Sequence, residues 1–456
     1  MYKPYTMPVI QAFPDIKVSE PNFSKLITFL MKILMRPYLF LFFGVARVFL
    51  GGKKHFFGAF ERALRGDTRC IMAFRHPNGG EPQLLTWFIL FRLGALAKKE
   101  GIAFAKRPRA LFIYGYEVLR WGGWVARLVM PGLGAMPIYH AKIDSQGLGR
   151  IYQDLLSGPY PLAMAPEGQV TYNVERVLNL EQGTMRIGFS VAERLIQAGK
   201  SFPVEILPVS IHFRYGIWGK ICLKWLMKRI EKFTGFSALY KKEEVPDFTT
   251  RLRNCRDYLI AKNESRYGIA RDENRTVPDR ITLIIEAGLR RAEQILGIKP
   301  TSGETISRLY LIRQICWDRI FLPGRDTLKG LPRLERAQLD LAAGEAWHAC
   351  RHTEVVDFIW YFHSALPEEN APLHEKIEFA QNLWDFANRT MGGSYATRNI
   401  NIYPRRVIIQ AAAPINLTER LPAYQKDRKA TIQTAMDDLL QSYLNCIKEV
   451  NETEKE

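Results

Sequence analysis

Between residues 70 and 213 the chain alternates short β-rich apolar runs with longer stretches of helical period, and this alternation constrains the fold more than any other feature. The β-rich runs are 70–74 (CIMAF), 101–105, 136–139, 161–165 (PLAMA) and 204–213 (VEILPVSIHF), with 111–114 read as a short connector. Helical pattern falls on 82–96, which opens on a favoured first-turn proline, on 150–157 and on 183–198. Strands that alternate with helices form one sheet with helices packed on it. The expected class is therefore α/β, a mostly parallel sheet flanked by helices.

Other patterns surround this core. The first twenty residues carry Pro4, Pro8 and Pro14 and no signal-peptide pattern. Residues 23–49 are strongly apolar but interrupted by Lys25, Lys32, Arg36, Pro37 and Arg47. The longest clean run, 37–46, covers about half of the ~20 residues a span needs. A proline between two apolar halves, with cations able to snorkel, predicts an amphipathic helical hairpin lying in a membrane interface. After Tyr215 helical patterns dominate, at 218–233, 248–264, 287–296, 307–320, 332–354 and 371–389. Residues 406–410 (RVIIQ) return to strand, and 429–448 read as a closing amphipathic helix. The expected organisation is an N-terminal extension with membrane-associating helices (1–60), an α/β core (61–215), a helical insertion (216–404) and a strand and helix completing the core (405–456). A chain of 456 residues has ample length for this.

Charge narrows the partners. Lys and Arg number 64 against 46 Asp and Glu, a net +18, which fits nucleic acid, an anionic membrane or an acidic protein. No helix-turn-helix, zinc finger or aromatic-basic ribbon motif is present, so nucleic acid is not expected. An aromatic content of 12% suits a chain that touches lipid. The basic residues Lys53, Lys54, Arg62 and Arg65, and Lys98, Lys99, Lys106, Arg107 and Arg109, are placed to meet anionic headgroups. Six scattered cysteines have neither metal-ligand nor redox spacing, which predicts reduced thiols in a cytosolic compartment. The protein is thus expected on the cytoplasmic face of a membrane, peripheral or monotopic. His348 and His352 stand four apart on a predicted helix, with Asp357 and His363 beyond; the spacing can hold zinc, but histidines on a helix face are the expectation.

Four short motifs carry chemistry. His76 and Glu81 bracket Pro77-Asn78-Gly79-Gly80 after an apolar strand. The glycines let the chain turn back, and a carboxylate on one imidazole nitrogen frees the other as a general base. Gly134-Ala135-Met136-Pro137-Ile138 follows about 60 residues on. Pro166-Glu167-Gly168 ends the PLAMA strand, where α/β sites open. Leu207-Pro208-Val209 puts a proline inside a strand, which predicts a bulge or an edge.

Together, in this order and spacing, the four resemble the motif blocks of the glycerolipid acyltransferases, the superfamily of lysophosphatidate and glycerol-3-phosphate acyltransferases. Those blocks are His-x4-Asp, Gly-x-x-hydrophobic-hydrophobic-x-Arg, Pro-Glu-Gly-Thr-Arg-Ser and hydrophobic-Pro-hydrophobic. Gln182-Gly183-Thr184, Ala413-Pro414-Ile415 and Tyr424-Gln425-Lys426-Asp427-Arg428 are similar to further features of the family. The resemblance covers about residues 60–215 and 405–448. It implies acyl transfer from a thioester, acyl-CoA or acyl carrier protein, to a hydroxyl of a lysolipid or glycerol-phosphate-type acceptor, with no metal or redox cofactor. His76 would be the base and Glu81 its orienting acid. Glu167, Gly168, Gly134, Pro166, His140 and Lys142 would bind substrate, with Glu167 on the acceptor and backbone N–H groups near Gly168 on the oxyanion. Four departures stand out. Glu81 replaces Asp, Arg75 stands where Asn is common before the histidine, His140 stands for Arg, and Gln169-Val170-Thr171 stands for Thr-Arg-Ser. The two missing arginines are the ones implied to grip the acceptor phosphate. Lys142, Arg150, Arg176 and Arg186 are the nearby cations. A phosphate-free acceptor and a disabled lipid-binding scaffold are the alternatives.

Overall fold

The computed structural model describes residues 11–16, 20–116, 118–119, 122–138, 144–240, 244–272, 274–299, 303–362, 365–391, 401–402 and 404–453. The chain forms two compact units. One comprises Ser19–Tyr139, Asp144–Lys220 and Asn401–Glu456; the other comprises Ile221–Ile400 with Met1–Val18 and His140–Ile143.

The first unit is α/β. Its strands are β1 (Val45–Gly51), β2 (Arg69–Phe74), β3 (Leu111–Gly115), β4 (Met136–Ile138), β5 (Leu162–Met164), β6 (Val204–Tyr215), β7 (Arg405–Ala411) and β8 (Ile415–Asn416). They form one sheet in the order β1-β7-β6-β2-β5-β3-β4, with β8 beside β6. The run from β6 to β4 is parallel throughout. β7 is antiparallel to β6 and parallel to β1. β2 is buried along its whole length, as a central strand covered on both faces must be. Apolar faces of α5 (Ser145–Ser157), α6 (Gly183–Gln197) and α13 (Arg428–Thr453) supply much of the core against the sheet.

Pro208 is neither at an edge nor in a bulge. It pairs in register with Ala73 in the middle of the sheet. On its other side β8 pairs with Glu205 and Ile206, and β7 begins pairing at Val209. Pro208 sits at the seam between them, and its carbonyl accepts the Ala412 N–H there. A residue without an N–H is tolerated where the ladder changes partner.

The N-terminal apolar segment also departs from expectation. It is one helix, α1 (Lys25–Phe43), capped by the Ser24 side chain and running through Pro37. Gly44, in the left-handed region (φ 65°), ends it. Of the residues expected as the second arm of a hairpin, 38–43 continue α1 and those from Val45 on form β1, paired with β7. The Arg36 guanidinium fixes this reversal by donating to the carbonyls of Val45 and Ala46, each at 2.6 Å. Residues 101–105 are not a strand either. Gly101 (φ 77°) turns the chain away after the helical stretch that α3 (Glu81–Phe88) begins, and Leu111–Gly115 takes the sheet position. Two helices were not expected, α2 (Lys53–Arg65) and α4 (Gly123–Gly132).

The second unit is helical, as expected. α7 (Ile217–Thr234) leads into α8 (Phe248–Arg266), α9 (Val277–Leu296), α10 (Thr305–Ile320), α11 (Arg333–Tyr361) and α12 (Leu373–Thr390). Arginine–carboxylate pairs knit them. Arg280 grips both oxygens of Glu264 at 2.7 Å, and Arg308 does the same to Glu293 at 3.0 and 2.9 Å. Residues 11–16 belong to this unit and not to an N-terminal extension. Phe13–Pro14 pairs with Phe321–Leu322, and the Ala12 N–H donates to Asp340.

Candidate active site

β2 ends at Phe74, and Arg75 and His76 follow at the carboxyl edge of the parallel strands. The loop 77–80 then turns into α3, whose first residue is Glu81 and whose second is proline. Gly79 (φ 99°) makes the turn with a backbone that other residues adopt only under strain. The turn brings Glu81 back onto the histidine. His76 Nδ1 lies 2.7 Å from Glu81 Oε2, which also accepts the Gly79 N–H at 2.8 Å. The Glu81 side chain is fully buried, whereas His76 is 17% exposed. Burial works to raise the Glu81 carboxyl. The hydrogen bond and charge of His76 and the backbone N–H groups outweigh it, so the carboxyl sits below its ordinary value. An ionised acid on Nδ1 leaves Nε2 as the nitrogen available for proton transfer.

The loop after β5 braces this pair. Glu167 is buried and spends both oxygens internally. Oε2 accepts the His76 N–H at 2.5 Å, and Oε1 accepts the Arg75 guanidinium at 3.1 and 3.2 Å. Arg75, fully buried, also donates to the carbonyls of Asn173 (2.8 Å), Val174 (2.5 Å) and Arg176 (2.5 Å). The Thr171 N–H returns to the His76 carbonyl at 3.1 Å. One guanidinium thus organises loop 167–176, and that loop holds the backbone of His76 on both sides. Tyr172, at φ 59°, is the one non-glycine residue with positive φ among the described residues, and it lies in this loop. A third element arrives from the C-terminal strand: Arg405, stacked on Phe213, donates to Asn78 at 3.1 Å. The Tyr443 hydroxyl of α13 donates to the Ala73 carbonyl at 3.0 Å, below the dyad.

These placements revise the substrate-binding set. Glu167 faces Arg75 and His76 and not an open acceptor position. Gly168 (φ 73°) is a turn residue whose N–H donates to the Ala165 carbonyl, so it is not a donor for an oxyanion. Pro166 is buried and accepts the Glu181 N–H at 2.6 Å. Gly134 precedes β4 and sits near Leu111, at the strand starts, the opposite end of the sheet from His76. His140 and Lys142 lie outside the described residues. Of the nearby cations, Arg150 donates to Glu20 at 2.8 Å and Arg186 to Gln182 at 2.9 Å, and Arg176 is exposed. Val170 lines the Gly79 turn: a Cβ on Gly79 would meet its Cγ2 at 3.8 Å.

Sequence reasoning missed the Arg75–Glu167 clamp. Its signal was two charged residues embedded in apolar strand ends, where a buried charge needs a partner. Five of the six cysteines are buried, and no cluster that could hold a metal occurs among the described residues. No family model matches the chain, and no curated protein or solved structure matches it either.

Proposed function

We propose that the protein is a membrane-associated O-acyltransferase. It moves a fatty acyl group from a thioester, acyl-CoA or acyl carrier protein, to a hydroxyl of a lysolipid or glycerol-phosphate-type acceptor in phospholipid synthesis or remodelling. The observation that carries this reading is the His76–Glu81 pair, 2.7 Å apart, with the acid buried and the imidazole partly exposed at the carboxyl edge of a parallel sheet. The motif order that resembles the glycerolipid acyltransferases supports it.

In this reading each member of the pair has one role. The acceptor hydroxyl oxygen attacks the thioester carbonyl while His76 Nε2 takes its proton. Glu81, held ionised, keeps the ring in the right tautomer and stabilises the imidazolium. Collapse of the tetrahedral intermediate breaks the C–S bond, and the imidazolium returns the proton to the thiolate. The ester forms, the thiol leaves, and no net proton is consumed.

Val170 favours a second reading, the same transfer to a phosphate-free acceptor such as a glycolipid or amino-acid lipid. An apolar side chain lines the Gly79 turn in the block where the resembling family carries its phosphate-gripping arginine. Purified protein is therefore assayed for thioester consumption with lysophosphatidate and with a phosphate-free lysolipid, each for wild type and His76→Ala. Turnover of lysophosphatidate that depends on His76 supports the first reading. Turnover of the phosphate-free acceptor alone supports the second. Absence of His76-dependent turnover with every donor and acceptor defeats both in favour of a lipid-binding scaffold.

A further inference from the structure

Helix α1 is apolar on more sides than it packs. Its buried residues, Thr28, Met35, Leu39 and Phe43, form one stripe. Leu26, Phe29, Leu30, Ile33, Leu34 and Phe40–Phe42 are exposed around the rest. A soluble surface does not carry so large a contiguous apolar area without a partner. α4 extends it. Trp124 (75% exposed), Val125 and Leu128 face outward at helical spacing. The two helices are joined: the Asn22 and Ser24 N–H groups donate to the carbonyls of Pro131 and Gly132, and Ile27 packs on Gly132.

We propose that α1 and α4 together form a docking surface for one leaflet of an anionic phospholipid bilayer, with α1 lying in the plane of the interface. Charge identifies the occupant. Residues 21–60 hold six cations and no acid, and Lys25, Lys32 and Arg127 are exposed among the apolar side chains. Packing gives the orientation. At 19 residues α1 has nearly the length of a span, about 28 Å. However, its buried stripe is committed to the α/β unit, Arg36 ties its last turns to the β1 carbonyls, and Phe43 lies against Gly80, where a Cβ would come within 2.5 Å of the ring. A helix held along one whole face cannot thread a bilayer, but it can press its free faces into one. The Phe43–Gly80 contact also places the seated helix directly on the loop that carries His76 and Glu81. The surface thus lies beside the loop of the proposed site.

The inference rests on the membrane part of the proposed function and not on its chemistry, because vesicle binding is read without turnover. Full-length protein is floated with vesicles of phosphatidylcholine alone and with vesicles containing equal parts phosphatidylcholine and phosphatidylglycerol. Wild type is expected on the anionic vesicles and to be released by high salt. Trp124→Ala/Leu128→Ala and Phe29→Ala/Ile33→Ala are each expected to weaken binding at least about tenfold with an unchanged melting temperature, since all four side chains are exposed. Lys25→Glu/Lys32→Glu is expected to erase the preference for anionic lipid. An N-terminal tag is expected to stay open to protease outside sealed vesicles. A protected tag would overturn the in-plane orientation. Unchanged binding in the α4 double variant would remove α4 from the surface. Dimerisation through these helices without vesicle binding would replace the bilayer by a second copy of the chain.

Discussion

His76 in the α/β unit and His352 in the helical unit begin from comparable sequence contexts, a histidine with acids and a second polar group within one or two helical turns. They end in opposite states. His76 has a carboxylate at 2.7 Å, itself braced by backbone N–H groups, and keeps part of its ring exposed. His352 bonds the Tyr267 hydroxyl at 3.0 Å and lies tilted beside His348, 5.2 Å between ring centres. Burial, with the neighbouring cations and His348 adding to it, holds its ring down to about 4. Asp357, the acid that the sequence set beside the two histidines, is taken by Arg313 at 2.6 Å, and His363 lies outside the described residues. A histidine is useful for proton transfer when an acid fixes one nitrogen and solvent reaches the other. Spacing along the chain supplies neither.

The sharpest way to break this contrast is to remove each ring in turn. His76→Ala is expected to lower thioester consumption by about 10²–10⁴. His352→Ala is expected to leave it within about twofold, since that ring is held by Tyr267 within the helical unit. Equal losses in steady-state kinetics would refute the distinction. Next comes the brace. Arg75→Met leaves the buried Glu167 charge without its cation and is expected to cost about 3–5 kcal/mol in urea unfolding. The double variant Arg75→Met/Glu167→Gln should cost less than the sum of its singles, because both charges leave together. Strict additivity would mean that the pair is not coupled. Smaller again is Glu81→Gln. It keeps the loop bond from Gly79 but loses the imidazolium's counter-charge, for an expected loss of about 10² in kcat with KM little changed.

How far the sequence could be read depended on how local each pattern was. Strands β2, β5 and β6 and the helices of the second unit were legible because each carries its own periodicity. The His76–Glu81 pair was legible because five residues and two glycines hold all of it. The clamp was not, because Arg75 and Glu167 are 92 positions apart and only sheet pairing brings them together. β1 was hidden because its apolar residues continue the α1 run, and a single glycine, Gly44, marks the change from helix to strand. α4 was hidden for a different reason. Its apolar residues Trp124, Val125 and Leu128 face outward, so a rule that turns apolar faces inward misreads it. Its ends are glycines and its last turn holds a proline, which also read as loop. The fold class was thus legible from repeated local patterns, whereas the parts set by long-range pairing, or by apolar faces turned outward, were not.

The smallest effect separates the dyad from the buried histidines by pH. Glu81 is lowered in the fold, so the stability it contributes is fully present above its unfolded value near 4.5. That contribution is lost only as pH falls through the folded value, below that point. His352 is also lowered, but from 6.5. Its neutral ring contributes stability that is complete above 6.5 and is lost as pH falls toward about 4, because the unfolded chain takes up the proton first. The buried His212, held down chiefly by burial although Glu175 opposes the shift, acts in the same direction in the α/β unit. Softening between pH 6.5 and 4.5 is therefore expected from the buried histidines and not from the dyad. Burial raises the Glu354 carboxyl to about 8, which acts the opposite way over this range. The test is therefore the difference from wild type: melting temperatures should lose less, or gain more, as pH falls in His352→Gln and in His212→Gln, and should follow the wild-type slope in Glu81→Gln. If Glu81→Gln alone flattened the curve, the dyad's carboxyl would have to titrate near neutrality. It could then not serve as the fixed negative charge that distinguishes His76 from His352.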